Sequence, residues 1–553
     1  MVQIASIGAK GAQEKVQIAQ AEAPQFEKVD WKREPHLRKL YMLSAALMVA
    51  SATTGYDGML VNTSQMMDNW TLFFSPRVKE SNWLGLLVNM FNIGAILSYF
   101  ITPYVADHLG RKIAIITGCC FMVVGGVIGC ASNGYNMYIA SRFILGFGNG
   151  LAQMCSPLLL VEIVHPQHRG PVTTIYNCLW NAGALLVSVI GWGTSYVASE
   201  WSWRSITLLQ IVPSVIQLMF IYCKSSSGTR VVPSVVANRS GPKGIPESPR
   251  FLINKERHDE ALAVLTKYHG GGDVLNTVVQ FEYREIKETI RLEKEAGSKS
   301  SYIDFFRTKG NLWRLAIIVS LGIISQYSGN ALFSNYMNQI YEGAGITSQN
   351  QKLALSTGKT MLDIIVTVAA ALQVDKFGRR PLFLTAISGM VGSFVCWTIT
   401  GAVYENSGET NSGSGYAQVV FIWIFGIFYD IGFSGLLVAY ALEVLPFQLR
   451  AKGMMIMNLT VQAILALGNQ TNMLAWNNLP HHWNFMLFYT LWNFCELVFV
   501  YFFYVETKGN TLEEVARIFD GDDAIAHIDL QQVEKEIEAE ATYHETVPNK
   551  SAA

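Results

Sequence analysis

Arg142-Phe-Ile-Leu-Gly146-Phe-Gly148-Asn-Gly150-Leu-Ala-Gln-Met-Cys-Ser-Pro157-Leu-Leu-Leu-Val-Glu162-Ile-Val-His-Pro166-Gln-His-Arg169-Gly170 is the stretch from which the rest of the chain can be read. Its glycine-rich body would be a poor helix in water, because glycine costs a helix about 1 kcal/mol relative to alanine. Between other apolar helices the same small residues let backbones approach closely. The charges then need a reason, with Arg142 at the head, Glu162 in the second half and Arg169 at the end. A segment of this kind belongs in a membrane, and the composition agrees. The 553 residues are 50% hydrophobic and 15% charged, with a mean hydropathy of +0.25, too apolar for an ordinary soluble assembly of this size. A formal net charge of -1 gives no reason to expect a nucleic-acid partner.

The apolar residues are gathered into runs long enough to cross about 30 Å of hydrocarbon, which takes roughly 20 residues. Spans are expected at Tyr41 to Leu60, 83–104, 113–131, 136–160, 172–197 and 203–222, and again at 313–340, 354–374, 382–403, 417–442, 453–476 and 484–504. The fold class is therefore an all-α polytopic membrane protein, with twelve transmembrane helices in two six-helix halves. Residues 1–37 are polar, with neither the layout of a signal peptide nor the apolar content of a fold, so the first span has to act as its own insertion signal. The expected parts are a disordered N-terminus (1–37), a first half (38–222), a helical middle segment (223–312), a second half (313–505) and an acidic tail (506–553). In the middle segment, Phe251, Leu252, Ala261, Leu262, Val264 and Leu265, then 281–292, have amphipathic spacing. Tyr222 to Ile245 has no helical period; it reads either as a loop or as an intron carried through into the protein.

Basic residues set the orientation. Arg111 and Lys112, His168 and Arg169, Arg379 and Arg380, and Arg450 and Lys452 fall in alternate loops, on the side of the middle segment and both termini; the opposite loops hold chiefly Arg77, Lys79 and Lys352. An excess of lysine and arginine marks the cytoplasmic side. Asn62-Thr-Ser64 and Asn69-Trp-Thr71 then read as glycosylation sequons, at Asn62 and Asn69, in the first outward loop. The eight cysteines lie mostly in apolar runs without metal-ligand spacing and read as small hydrophobes, so neither a metal nor a cofactor is expected.

The halves repeat one another. Asp107-His-Leu-Gly110-Arg111-Lys112 follows the second span, and Asp375-Lys-Phe-Gly378-Arg379-Arg380 follows the eighth. Glu162 to Arg169 closes the fourth span, and Glu443-Val-Leu-Pro446-Phe-Gln-Leu-Arg450 closes the tenth. With Pro246-Glu-Ser-Pro-Arg-Phe251, Gln326-Tyr-Ser328-Gly329-Asn330 and Glu506-Thr-Lys-Gly-Asn-Thr-Leu-Glu-Glu514, these motifs make the chain similar to the sugar porter family of the major facilitator superfamily over about residues 38 to 520. It most resembles the fungal lactose permease, cellodextrin and hexose transporter branch.

The resemblance assigns roles to residues that already stand out. An ionised Asp57 in the first span is costly unless paired or wet; burial favours a protonated acid and a nearby arginine the ionised one. In proton-coupled members the aspartate lies opposite the arginine, so Asp57 and Arg142 are the expected coupling pair. The other reading is a solvated, structural Asp57 near the outer end of its helix. Asp107, Arg111, Glu162 and Arg169, with Asp375, Arg379, Glu443 and Arg450, are implied to pair across the halves when the carrier faces outward and to part when it faces inward. The bland reading makes them topogenic charges, which leaves the acids unexplained. Asn177, Gln326, Asn330, Asn335 and Tyr336 are the candidate substrate contacts, or else amide glue between helices. Ser325, Ala331, Asn335 and Val438 stand where the family has glutamine, asparagine, tyrosine and, in several hexose carriers, tryptophan, which argues against plain glucose specificity. The function expected is proton-coupled transport of a disaccharide or hexose by a plasma-membrane monomer that is not an enzyme. The rivals are a carrier of a specialised metabolite and a non-transporting nutrient sensor.

Overall fold

The structure, a computed structural model, describes residues 29, 31–222, 245–297, 301–408, 410–508, 515 and 518–520. Its first-half helices are α1 (Pro35–Gln65), α2 (Asp68–Phe74), α3 (Ser81–His108), α4 (Arg111–Cys130), α5 (Tyr135–Ile163), α6 (Arg169–Thr194), α7 (Trp201–Leu209) and α8 (Ile211–Tyr222). The middle segment supplies α9 (Pro249–Asn254), α10 (His258–Tyr268) and α11 (Thr277–Gly297). The second half has α12 (Lys309–Tyr327), α13 (Asn330–Gly343), α14 (Gln349–Ala371), α15 (Val374–Phe377), α16 (Arg379–Asn406), α17 (Ser412–Gly432), α18 (Leu437–Val444), α19 (Phe447–Asn478) and α20 (His482–Phe503). Three spans are interrupted and consist of two helices each: α7 with α8, α12 with α13, and α17 with α18. The loop or intron stretch at 223–244, the N-terminus before 29 and the tail after 520 lie outside the described residues.

Ten of the described segments are long and apolar enough to cross a membrane by length and composition alone. The remaining two of the twelve spans are α1 and α19, with 31 and 32 residues, ample at 1.5 Å per residue. Polar side chains lower their hydropathy, and many of these are buried against protein: Ser44, Ser51, Thr53 and Asp57 on α1, Asn469 and Asn472 on α19. The helices also run beyond the apolar runs. α1 continues to Gln65, which carries Asn62 into its last turns at 1% exposure. Asn62 therefore does not lie in an outward loop, because the helix persists through the sequon. Asn69, on α2, is half-buried, and its amide nitrogen lies 3.3, 3.2 and 3.2 Å from the Val197 and Ser199 carbonyls and the Ser202 hydroxyl.

Packing follows the repeat. α1 lies along α6 as α12 lies along α19, and α4 along α5 as α16 along α17. The halves meet where α3 runs along α19 and α6 along α14, two seams that the same repeat exchanges. Small residues make the close crossings: a Cβ at Gly146 of α5 would stand 1.9 Å from the Phe91 carbonyl oxygen of α3, so only glycine permits that approach.

Candidate functional site

Arg142 and Gly146 are one turn apart on α5, so they share a face. The contact Gly146 permits sets Phe91 over the guanidinium, 4.9 Å from carbon to ring centroid. Arg142 and Asp57 are 3% and 0% exposed. They meet through the backbone: Arg142 Nη2 donates to the Asp57 carbonyl oxygen at 3.4 Å. Neither carboxyl oxygen of Asp57 has a hydrogen-bond partner among the described residues. Asp57 is thus sealed from water, contrary to the solvated reading of it.

Polar groups from both halves gather near the middle of the bundle. In the first half, the Thr54 hydroxyl lies 2.9 Å from Asn149 Oδ1 and 3.0 Å from Gln153 Oε1, and the Tyr176 hydroxyl donates to Gln153 at 3.0 Å. Asn177 is half-buried beside Tyr176, and Asn181, one turn on, donates to Thr367 across the seam at 2.8 Å. In the second half the break between α12 and α13 leaves Gln326 and Asn330 side by side, amide to amide at 3.4 Å, and both half-buried. Asn335 and Tyr336 are differently engaged. Asn335 donates to Asn469 Oδ1 at 3.0 Å, and the Tyr336 hydroxyl donates to the Asn469 carbonyl at 2.7 Å. Tyr336 is 1% exposed, so it acts here as a clamp on α19.

At the end of the bundle that carries the basic loops, the described ion pairs lie within a half or between a half and the middle segment. Arg111 Nε stands 3.4 Å from Glu162 and its Nη1 3.7 Å from Asp107; Arg379 stands 3.0 Å from Glu443, which also accepts from the Thr507 hydroxyl. Arg169 reaches into the middle segment, 2.7 Å from Glu282 of α11. Arg450 is half-buried at the start of α19. Asp375 falls in α15, and its side chain lies outside what the structure describes.

Two acids repeat one job in the two halves. Gly110 and Gly378 turn the chain with φ of +104° and +91°, a conformation in which a side chain is strained. The Glu247 carboxylate accepts from the Lys112 amide at 3.4 Å at the start of α4, and Glu506 from the Arg379 and Arg380 amides at 3.0 and 3.1 Å at the start of α16. A carboxylate is favoured there by the unsatisfied amides and the helix dipole. The Arg111 guanidinium also sits over Phe251, 5.4 Å from its centroid, so the segment after the sixth span locks this turn. In the sequence, the position of the two motifs after the sixth and twelfth spans is the signal for these roles of Glu247 and Glu506. The sequence expectations leave out Asn149 and Gln153 inside the opening stretch, and Glu282 and His269, which meet at 2.6 Å.

The sequence pattern of the family described as Sugar (and other) transporter matches residues 43–227 and 236–519. A high-affinity glucose transporter of Kluyveromyces lactis is 25% identical over 514 residues, 90% of this chain and 88% of its own length. An MFS-type transporter of Aspergillus cristatus is 27% identical over 483 residues, 87% of this chain and 93% of its own. Among solved structures, the inward open xylose transporter of E. coli superposes with a TM-score of 0.68 at 19% identity, over 87% of this chain and 100% of that one. At that identity the likeness is one of fold.

Proposed function

We propose that this chain, which belongs to the sugar (and other) transporter family, takes up a sugar with a proton by alternating access. The observation that carries the coupling is Asp57, 0% exposed, unpaired at its carboxyl and adjoining Arg142. A buried carboxylate without a partner is expensive inside a membrane. A proton on Asp57 removes that cost when the site is sealed, and Arg142 holds the ionised form once the site opens. Sugar hydroxyls would exchange water for the amides of Gln326, Asn330 and Asn177, with Asn149 and Gln153 completing the first-half side. The basic end is read as cytoplasmic, with both termini there and the protein a monomer in the plasma membrane.

The conformation is read as facing the cytoplasm. Cross-half hydrogen bonds at the opposite end support this: Gln65 to the Asn335 carbonyl at 3.0 Å, Gln339 to Gln65 at 2.9 Å and Trp192 to Asn350 at 2.6 Å. The described ion pairs of Arg111, Arg169 and Arg379 at the basic end meanwhile lie within a half or with the middle segment. On this reading Arg111, Glu162, Arg169, Arg379, Glu443 and Arg450, with Asp107 and Asp375, exchange partners when the halves rock together.

The test is uptake of labelled mono- and disaccharides by cells lacking their own carriers, with and without a protonophore, for the native chain and Asp57→Asn. Uptake lost with the protonophore and in Asp57→Asn is the expected result. Uptake insensitive to both makes the chain a uniporter and removes Asp57 from the mechanism. Protein at the surface that carries no sugar favours the metabolite carrier, which the altered seventh span (Ser325, Ala331, Asn335) would suit.

A further inference from the structure

Three charges in the second half lie outside every motif above. Lys359 and Asp363, one turn apart near the middle of the 23-residue α14, pair at 2.7 Å. Asp430, 7% exposed near the end of α17, takes a hydrogen bond from the Ser434 hydroxyl at 2.5 Å. The helices are pressed together here: a Cβ at Gly426, one turn before Asp430, would lie 3.2 Å from Lys359 Nζ and 3.3 Å from Asp363 Oδ1. Asp430 feels the charges of both α14 residues. Among the described residues, the other titratable groups facing the cluster are Tyr341 of α13 and Tyr429 of α17, while α16 brings apolar Ala386 and Phe394 against α17. Two carboxyl oxygens, Asp363 Oδ1 and Asp430 Oδ2, are buried without a hydrogen-bond partner among the described residues.

One lysine against two aspartates leaves a net charge of -1 within the membrane, a state that calls for a compensating cation. We propose that Lys359, Asp363 and Asp430 form a second proton-binding site, in the half opposite Asp57. A hydronium ion gives one proton to an aspartate oxygen and leaves as water, and the triad passes from -1 to neutral. The site also touches the cargo region. Tyr429, next to Asp430, donates to the Ser325 carbonyl at 2.8 Å, beside Gln326, and Asp430 stands just ahead of the break between α17 and α18. The proposal needs the spans but not a sugar cargo, so it stands or falls apart from the transport reading.

The experiment is infrared difference spectroscopy, acid minus alkaline buffer, on the full-length chain in lipid nanodiscs. A component of the protonated-carboxyl band is expected to vanish in Asp430→Asn and equally in Asp363→Asn, while persisting in Asp57→Asn. Lys359→Met, which removes the triad's cation, should bring that component up in more alkaline buffer. Two independent acid variants guard against one failing to fold. A band identical in the native chain and both acid variants overturns the site. A component that disappears when sodium replaces choline at constant pH overturns the proton as its ligand.

Discussion

Two glycines on α6 predict opposite outcomes for the same substitution. At Gly183 a Cβ would stand 1.9 Å from the Ala52 carbonyl oxygen of α1, whereas at Gly193 nothing lies within 4 Å. Backbone cannot yield as a side chain can, so Gly183→Ala should cost about 1–3 kcal/mol or more, as overpacked interiors do. Gly193→Ala should be neutral or gain up to about 1 kcal/mol from helix propensity; thermal unfolding of the purified variants decides both. His165, in the turn after α5, offers a pH dependence. It is 2% exposed, with its ring 5.4 Å from that of His269. Burial first, then repulsion from His269, pushes its imidazole down from 6.5 to about 4. The unfolded chain therefore binds this proton where the folded chain does not. The stabilisation is complete above the unfolded value of 6.5 and is lost as pH falls toward 4. In His165→Gln the melting temperature should fall less steeply over that window, and an unchanged slope would remove His165 from the balance.

At the scale of elements, the interrupted seventh span separates groups that clamp from groups proposed to contact cargo. The Tyr336 hydroxyl is committed to the Asn469 carbonyl. Tyr336→Phe should therefore cost about 0.5–1.5 kcal/mol of stability with KM almost unchanged, while Gln326→Ala raises KM. A reversed pattern would return Tyr336 to the cargo site. The spans themselves were legible because long apolar runs have few other uses, and Asp57 and Arg142 because a charge inside such a run must be explained. The ends of α1 were not, since Asn62 to Gln65 is polar by composition and helical only through what it packs against. Glu282 and His269 had no sequence address either: amphipathic spacing announces a helix in the middle segment but not the arginine it will meet. Lys359, Asp363 and Asp430 could have been found by the rule that found Asp57, but the repeated motifs drew the reading to the helix ends.

For the whole molecule, the proposed alternating access gives the cross-half bonds at the end away from the basic loops the task of setting how readily that end opens. Gln65→Ala removes two of them. At about 0.5–1.5 kcal/mol per hydrogen bond, it should raise the open population by roughly 5-fold to 100-fold, seen as faster outside labelling of a cysteine placed at Asn330. Equal labelling in the two backgrounds would mean that these bonds do not hold the closure. The polarity of α1 and α19, useful once their neighbours surround them, has a different meaning on the ribosome. A helix is judged for insertion on its own composition, and an aspartate counts against it by up to about 2.5–3.5 kcal/mol, the figure for a helix centre. α19 emerges after α3 and α12, the helices that shelter it, are already in place, and α1 emerges before any partner exists. Cloned alone into an insertion reporter, both segments should pass through the translocon more often than α4 does. Asp57→Leu should rescue α1, so that the residue proposed to load a proton in the finished protein is also the one that makes its first helix hesitate at the membrane.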